Sequence, residues 1–258
     1  MAPAEGERPM TDSVHIGTMG WSYNFWVGTF YPHGLKSSEF LTEYSKHFDT
    51  VEVNNTFYRV PDESVLSKWK EQTPSKFLFS VKFPQTITHK KMLKDCEQEL
   101  EFFIERIDTL QNKLGPLLLQ FPPTFGIEKL AILKDFLLSL PKGYRYAVEV
   151  RNPELSANKL HSLLKENAIA LVVNPFNPEA EQVADDFVYV RWERDKNKVN
   201  GTLGKVEVDR TSEIRLWAER ISKLLDKTKE VFGYFSKYYS GHPPTDARQL
   251  IDSLNLTV

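Results

Sequence analysis

Eight short apolar runs, separated by stretches with helical periodicity, are the feature that most restricts the fold of this chain. Each run is about as long as a buried strand, and apolar residues between the runs recur at three- and four-residue steps. This alternation is typical of βα units and a parallel sheet. The predicted strands are Val14–Thr18, Thr50–Asn54, Phe77–Phe83, Pro116–Phe121, Arg145–Arg151, Ala168–Val173, Phe187–Trp192 and Glu230–Phe235.

Amphipathic helices are predicted in the intervals between these strands. The longest apolar stripe runs from Leu93 through Cys96 to Ile107, and Pro243-Pro244 marks the start of the last helix. Two prolines between Asn174 and Asp186 leave room for a short helix only. The other predicted segments are Phe40–Phe48, Val65–Trp69, Glu128–Leu140, Ser156–Glu166, Ser212–Leu225 and Asp246–Ser253.

Eight strands with crossover segments predict an α/β fold, a closed parallel TIM-like (β/α)8 barrel with some irregular or shortened helices. The rival is an open doubly wound sheet, which would usually carry a glycine-rich phosphate turn after its first strand. Here the turn Gly17-Thr18-Met19-Gly20-Trp21-Ser22 lacks the third glycine and leads into bulky aromatic residues. The sequence therefore favours the barrel.

Composition restricts the partners and the compartment. The 33 basic and 35 acidic residues provide no global basic field for a nucleic acid backbone. The single Cys96 cannot form an internal disulfide, which favours the cytoplasm. No apolar run approaches the roughly 20 residues of a membrane span, so no membrane partner is expected. Because the polar N-terminus lacks a signal-peptide centre, we expect a disordered leader over residues 1–12 and one barrel domain over 13–258.

Polar residues interrupt the predicted strands near their carboxyl ends, where strands buried on both faces should be apolar. Alternation places the polar side chains of each strand on one face. In a barrel this face lines the mouth at the carboxyl ends of the strands, where barrel active sites lie. The predicted ring, with a formal charge of +1, is Glu52, Asn54, Lys82, Gln120, Glu149, Arg151, Asn174 and Arg191.

This ring has two interpretations, a ligand pocket and a salt-bridge network that fills a wide barrel. In a pocket, Glu52 and Glu149 would provide acid–base chemistry, and the cations Lys82, Arg151 and Arg191 would hold negative charge. Loops at the same end mix basic and aromatic groups, which suits a sugar or a base that carries an anion. The aromatic residues also fit a second role, as a small core that caps the barrel. The loop residues predicted to bind ligand are Trp21, Tyr58, Arg59, His89 and Lys237.

Metal and cofactor signals are weak. The six histidines form no two-histidine helical motif, so the sequence predicts no zinc cluster and no evident cofactor. A single Mg²⁺ on Glu52 or Glu149 stays open, because it needs only one or two carboxylates.

Several motifs follow one another along nearly the whole chain from about Val14. They are Gly17-Thr18-Met19-Gly20-Trp21-Ser22-Tyr23, Phe30-Tyr31-Pro32, the stretch from Phe48 to Arg59, Thr88-His89, Leu114-Gly115-Pro116, Gln120-Phe121-Pro122-Pro123, Val148–Arg151 and Phe187–Arg191. Together they resemble the YecE-like family, domain of unknown function 72. The resemblance implies a TIM-like (β/α)8 barrel and no assigned activity. It also implies paired asparagines after strand eight, whereas this chain has Phe235-Ser236-Lys237-Tyr238-Tyr239-Ser240-Gly241-His242 there, which suggests a different ligand at that loop.

The sequence thus predicts an enzyme with a pocket for a polar anionic ligand at the barrel mouth. The ligand classes are a sugar phosphate, a nucleotide or a nucleic acid end, and hydrolysis of a phosphoester or glycosidic bond is the reaction to test first. The alternatives are a non-catalytic ligand-binding protein with the same pocket and nucleic acid binding in a basic cleft. No oligomeric state is predicted.

Overall fold

All eight predicted strands are present in a computed structural model, which describes residues 13–155, 157–175, 186–194 and 196–256. Three strands have the predicted bounds, and the others begin or end within two residues of them. Their bounds are β1 Val14–Thr18, β2 Thr50–Val53, β3 Leu78–Lys82, β4 Leu114–Gln120, β5 Tyr146–Glu149, β6 Ala170–Leu171, β7 Phe187–Trp192 and β8 Glu230–Phe235.

The strands pair in parallel in two sheets, with the orders β1-β8-β7 and β2-β3-β4-β5-β6. Single parallel bridges connect the sheets, Met19 with Glu52 at one seam and Val173 with Val190 at the other. A Cβ at Gly17 would lie 2.2 Å from the Thr50 carbonyl oxygen, so the absence of a side chain lets β1 approach β2. The strand order is that of an eight-stranded TIM-like barrel, which confirms the predicted fold class.

Two apolar clusters divide the buried residues by the face of the strand on which they lie. The larger cluster joins outward strand residues such as Val51 and Val53 to the helices. The smaller one follows the alternate positions, which face the barrel interior, and includes Leu118, Tyr189 and Tyr234. Polar inward residues lie on these same alternate positions, so the strands carry them to the barrel mouth.

The helices cover the outside of the barrel, and several are short, as predicted. The stripe from Leu93 to Ile107 is helical only from Glu97, because Met92, Leu93 and Asp95 adopt positive φ angles. The last helix begins at Pro243, earlier than Asp246. The helices are α1 Phe40–Tyr44, α2 Glu63–Glu71, α3 Glu97–Ile107, α4 Leu130–Ser139, α5 Ala157–Glu166, α6 Thr211–Leu225, α7 Lys237–Ser240 and α8 Pro243–Ser253, with a π-helix at Thr86–Lys90.

Three predictions fall wholly or partly outside the described residues: the leader over residues 1–12, the short helix between Asn174 and Asp186, and the helix start at position 156. Within the described ranges, no helix has both the length and the apolar character that crossing a membrane requires.

Candidate functional site

Five polar side chains from five strands meet at the carboxyl ends of the barrel. All are buried, with exposed fractions between 0% and 8%. Parallel strands carry residues of the same register to one edge, and Glu149 lies directly opposite Gln120 in the ladder. The five residues, which together form the mouth network, are Glu52, Lys82, Gln120, Glu149 and Arg191.

Arg191 lies at the centre of the mouth network. Its Nε is 2.9 Å from Oε2 of Glu52, and its Nη2 is 3.0 Å from Oε1 of the same carboxylate. The remaining nitrogen, Nη1, donates to Oε2 of Glu149. A planar guanidinium matches such two-point contacts with carboxylates. Two carboxylates from well-separated strands, β2 and β5, therefore share one cation.

Arg151 extends the network toward solvent. Its Nη2 lies 2.8 Å from Oε2 of Glu193, and its Nε lies 3.5 Å from Oε1 of Glu149. Glu193, which the predicted ring omitted, is also 3.7 Å from Nη1 of Arg191. The third carboxylate changes the charge balance, because three acidic groups now face Arg151, Arg191 and Lys82. Counted together with Glu193, the ring is formally neutral instead of +1.

Lys82 differs from the two arginines in its contacts. Its ammonium donates to Oε1 of Gln120 at 2.6 Å and lies 4.3 Å from the ring centroid of Phe57. Across the residues that the structure describes, no carboxylate is in ion-pair contact with it. Burial, together with the charge of Arg191, lowers the pKa of Lys82 to about 8.

Gln120 connects Lys82 to Glu149, since its Nε2 donates to Oε2 of Glu149 at 2.7 Å. Burial opposes the charge of Glu149, but Arg191 and Arg151 outweigh that effect and lower the pKa of the carboxyl. Glu149 is thus held as an anion that can accept a proton.

Asn54 and His89 flank the network. Asn54 Nδ2 donates to Oε1 of Glu52 at 2.8 Å. His89 lies in the π-helix, edge-on to Phe57 with ring centroids 4.8 Å apart. Burial, then the charge of Lys82, lowers the pKa of His89, so the imidazole is biased toward its neutral form.

The other predicted binding residues are not part of the buried network. Tyr58 is exposed, and Arg59 extends into solvent 3.7 Å from Asp62. The Lys237 ammonium lies 5.1 to 6.0 Å from the centroids of three aromatic rings. Asn174 is half-buried beyond the end of β6.

Trp21 is placed differently from its predicted role. Its indole packs edge-on against Trp69 at a centroid distance of 5.0 Å and against Phe79 at 6.4 Å. It belongs to the apolar core, and nearby Tyr31 stacks on Phe40 at 4.3 Å. The aromatic loop after β1 therefore packs as a small core that caps the barrel, and this corrects the expectation that Trp21 faces ligand.

Sequence reasoning missed Tyr189 and Glu193. The hydroxyl of Tyr189 donates to Oε2 of Glu52 at 2.8 Å, deep in the barrel. Its signal in the sequence is its position two residues before Arg191, because alternate residues of a strand share a face. Glu193 stands two residues after Arg191 and carries the same signal.

A magnesium ion on Glu52 or Glu149 does not fit these contacts. Both carboxylates already accept hydrogen bonds from Arg191, so a cation would have to replace a guanidinium. In the part of the chain that the structure describes, no group of three or more His, Cys, Asp or Glu side chains is arranged to hold a metal ion.

The fold and the site define a TIM-barrel-like α/β protein with a charged, hydrogen-bonded network at its mouth. The sequence model of the family described as "Protein of unknown function DUF72" matches residues 15–258, and the chain belongs to this family. It is 40% identical over 144 residues to the UPF0759 protein YecE of Escherichia coli (strain K12), a match that covers 56% of this chain and 50% of YecE. The chain thus spans about half the length of YecE. UPF0759 protein YunF of Bacillus subtilis (strain 168) is 27% identical over 277 residues, covering 94% of this chain and 95% of YunF.

Solved structures show the same fold. A DUF72 family protein from Thermotoga maritima has a TM-score of 0.78 and 28% identity, covering 94% of this chain and 99% of its own. A DUF72 family protein from Enterococcus faecalis has a TM-score of 0.75 and 24% identity, covering 95% and 96%. The structure of SacUVDE, at 10% identity and a TM-score of 0.62, covers 95% and 99% and is similar in fold alone.

Proposed function

We propose that this protein is an enzyme that acts on a small polar ligand bearing an anionic group, in the mouth of the barrel. The observation that carries the proposal is the ammonium of Lys82, which is buried without a carboxylate contact among the described residues. A network built for stability alone would pair this charge, because burying an unpaired ion is costly. An anionic ligand would supply the ion-pair contact that Lys82 does not make with any carboxylate of the described residues.

The arginines are less suited to that task. Arg191 and Arg151 are already engaged by Glu52, Glu149 and Glu193, so they orient the carboxylates instead of receiving a ligand's charge. Lys82 therefore replaces the predicted trio of cations as the principal anion-binding group, with Arg59 and Lys237 farther out at the rim.

The paired glutamates support acid–base chemistry at the same place. Hydrolysis of a phosphoester or glycosidic bond needs one group to protonate the leaving oxygen and another to take a proton from water. Glu52 and Glu149 lie on either side of one guanidinium and can divide these roles. The substrate classes proposed are sugar phosphates, nucleotides and nucleic acid ends.

The first experiment measures binding and turnover together. A panel of sugar phosphates, nucleotides and short single-stranded oligonucleotides is screened by calorimetry and by product release. We expect Glu149→Gln to abolish turnover while the ligand still binds, and Lys82→Met to weaken binding at least tenfold, the loss of one charge-assisted contact. Lys46→Met, on an exposed lysine paired with Glu43, is the matched control. Unchanged binding and turnover in both site variants would refute the proposal.

A second candidate function is binding of a nucleic acid end without catalysis. Tyr58 is 77% exposed and precedes Arg59, whose side chain is also exposed. An exposed ring and an exposed guanidinium on consecutive residues suit a stacked base with its phosphate. Oligonucleotide affinity should then fall steeply as salt rises, and a flat salt dependence would exclude this candidate.

We also propose that the protein acts in the cytoplasm. Its single cysteine, Cys96, is 2% exposed, and burial raises the pKa of the thiol to about 11. Such a thiol reacts slowly, and a single cysteine forms no internal disulfide, which is typical of proteins in a reducing compartment. Fractionation of the source cells tests this directly.

A further inference from the structure

Beneath Glu52, buried oxygen atoms form a chain that runs into the barrel. The Tyr189 hydroxyl is 2.8 Å from Oε2 of Glu52, and Ser80 Oγ is 2.8 Å from the Tyr189 hydroxyl. Ser80 Oγ is also 2.6 Å from the carbonyl oxygen of Pro116, in a stretch where β4 has one more residue than β3. Glu52, Tyr189 and Ser80 are each 0% exposed.

The number of protons in this chain depends on the charge of Glu52. All three contacts have the length of O–H···O hydrogen bonds, but Tyr189 and Ser80 carry only one hydroxyl proton each. The Pro116 carbonyl can only accept, and so can an ionised carboxylate. With Glu52 ionised, only two protons are available for three oxygen–oxygen contacts, so one pair of buried oxygens has no hydrogen-bonding proton between them. With Glu52 protonated, Glu52 donates to Tyr189, Tyr189 to Ser80, and Ser80 to Pro116.

A neutral Glu52 also satisfies its other partners. Its Oε2 can still accept from Nε of Arg191 at 2.9 Å while donating to Tyr189. Its Oε1 accepts from Nη2 of Arg191 at 3.0 Å and from Asn54 at 2.8 Å. No contact of the carboxyl is lost when it gains a proton.

The contacts of Glu149 differ from those of Glu52. Glu149 contacts only donors, and Arg191 and Arg151 outweigh burial to lower the pKa of its carboxyl. The charged and titratable groups that face Glu52 are Tyr23 from the loop after β1, Lys82 from β3, Glu149 from β5, Tyr189 and Arg191 from β7, and Tyr234 from β8.

We propose that Glu52 is the protonated acid of the pair and Glu149 the base, with Tyr189 and Ser80 as positioning residues that hold Glu52 in its neutral form. The assignment rests on the proposed function for its place in a reaction. There, Glu52 gives its proton to the leaving oxygen as that oxygen keeps the bonding electron pair, and Glu149 takes a proton from the attacking water. The Tyr189 hydroxyl then rotates, so that it donates its proton to the carboxylate that Glu52 has become.

The test is carbon-13 NMR of the full-length protein labelled at the glutamate carboxyl carbon, with signals assigned by Glu52→Gln and Glu149→Gln. At pH 6 we expect Glu52 to give the signal of a protonated carboxyl and Glu149 that of a carboxylate. Ser80→Ala removes the acceptor for the Tyr189 proton, so the ratio of protonated to ionised Glu52 should fall about tenfold, the effect of one hydrogen bond.

Thr50→Val is the matched control. The Thr50 hydroxyl lies farther from Glu52 along these contacts. It is 2.9 Å from the Leu78 carbonyl oxygen and 2.8 Å from the hydroxyl of Tyr234, which also bonds to Ser80. Because this variant keeps Ser80 as the acceptor for the Tyr189 proton, it should change the Glu52 signal much less than Ser80→Ala does. An ionised Glu52 at pH 6 in the native protein overturns the assignment, and so does an equal response to Ser80→Ala and Thr50→Val. If Ser80→Ala does not fold, the native spectrum alone decides.

The NMR measurement needs no substrate. A failed ligand screen would therefore count against the proposed function alone, and an ionised Glu52 would count against this assignment alone.

Discussion

The strongest quantitative prediction concerns Lys82→Met, a substitution that keeps the length of the side chain and removes its charge. Burial and Arg191 lower the pKa of Lys82 from 10.5 to about 8 in the folded protein. Because the folded pKa lies below the unfolded one, folding disfavours the cation. The penalty is complete below pH 8 and disappears as the pH rises from 8 to 10.5.

The size of the effect follows from the two pKa values. Each pH unit in this window is equivalent to about 1.4 kcal/mol, so the whole penalty is about 3 kcal/mol. The native protein should therefore gain stability relative to Lys82→Met by about 2 kcal/mol between pH 8 and 9.5. Below pH 8 the difference between the two proteins should be constant. Ligand binding should respond in the opposite sense, since the native protein loses its ammonium above pH 8.

The assay is urea denaturation of both proteins at pH 7, 8, 9 and 9.5, with the difference in free energy of unfolding plotted against pH. Taking the difference cancels the titration of other groups, including buried tyrosines such as Tyr23, whose pKa burial raises to about 12. Lys46→Met, on an exposed side chain, should show no such slope. A difference that stays flat from pH 7 to 9.5 would refute the account of Lys82 as a destabilised buried cation.

Three further substitutions test the fold. Gly17→Ala places a Cβ 2.2 Å from the Thr50 carbonyl oxygen, so we expect a loss of about 3 kcal/mol in thermal denaturation, and an unchanged Tm would contradict the close seam between β1 and β2. Burial raises the pKa of Asp246 from 3.8 to about 7. The free energy of unfolding of the native protein should therefore fall by about 1.4 kcal/mol per pH unit between these values, while that of Asp246→Asn shows no such fall. Equal free energies of unfolding of the native protein in urea at pH 4.5 and pH 7 would contradict this prediction. Lys113 Nζ donates to the Lys70 carbonyl oxygen at 2.6 Å. Lys113→Met should lower the free energy of unfolding by about 1–3 kcal/mol in equilibrium denaturation, because it leaves buried carbonyl oxygens without donors. A variant as stable as the native protein would contradict this prediction.

The strand prediction succeeded because it used a local property. Each apolar run is recognised from its own residues, so a buried strand needs no distant information. The stripe from Leu93 to Ile107 shows the limit of that approach. Its spacing fits one helix, yet positive φ angles at Met92, Leu93 and Asp95 delay the helix until Glu97, because the chain after the π-helix has to turn there.

The sequence predicted several strand residues that face the barrel mouth, but not the contacts among them. Alternation placed Glu52, Lys82 and Glu149 on inward faces, and the barrel brings them together. It could not show that Arg191 holds both carboxylates or that Glu193 neutralises the ring, because those contacts depend on side-chain reach across several strands. Trp21 shows a second limit of the sequence, because an aromatic residue in a loop beside a site has the same sequence pattern whether it packs into the core or contacts a ligand.

By itself, the sequence determined the order of strands and helices, the barrel class and the polar character of the mouth. These follow from periodicity and burial, which each segment expresses independently of the rest. Only the tertiary structure decided which charges are paired, and that the ammonium of Lys82 contacts no carboxylate among the described residues. Those properties belong to distances between residues far apart in sequence, and such distances exist only once the barrel has formed.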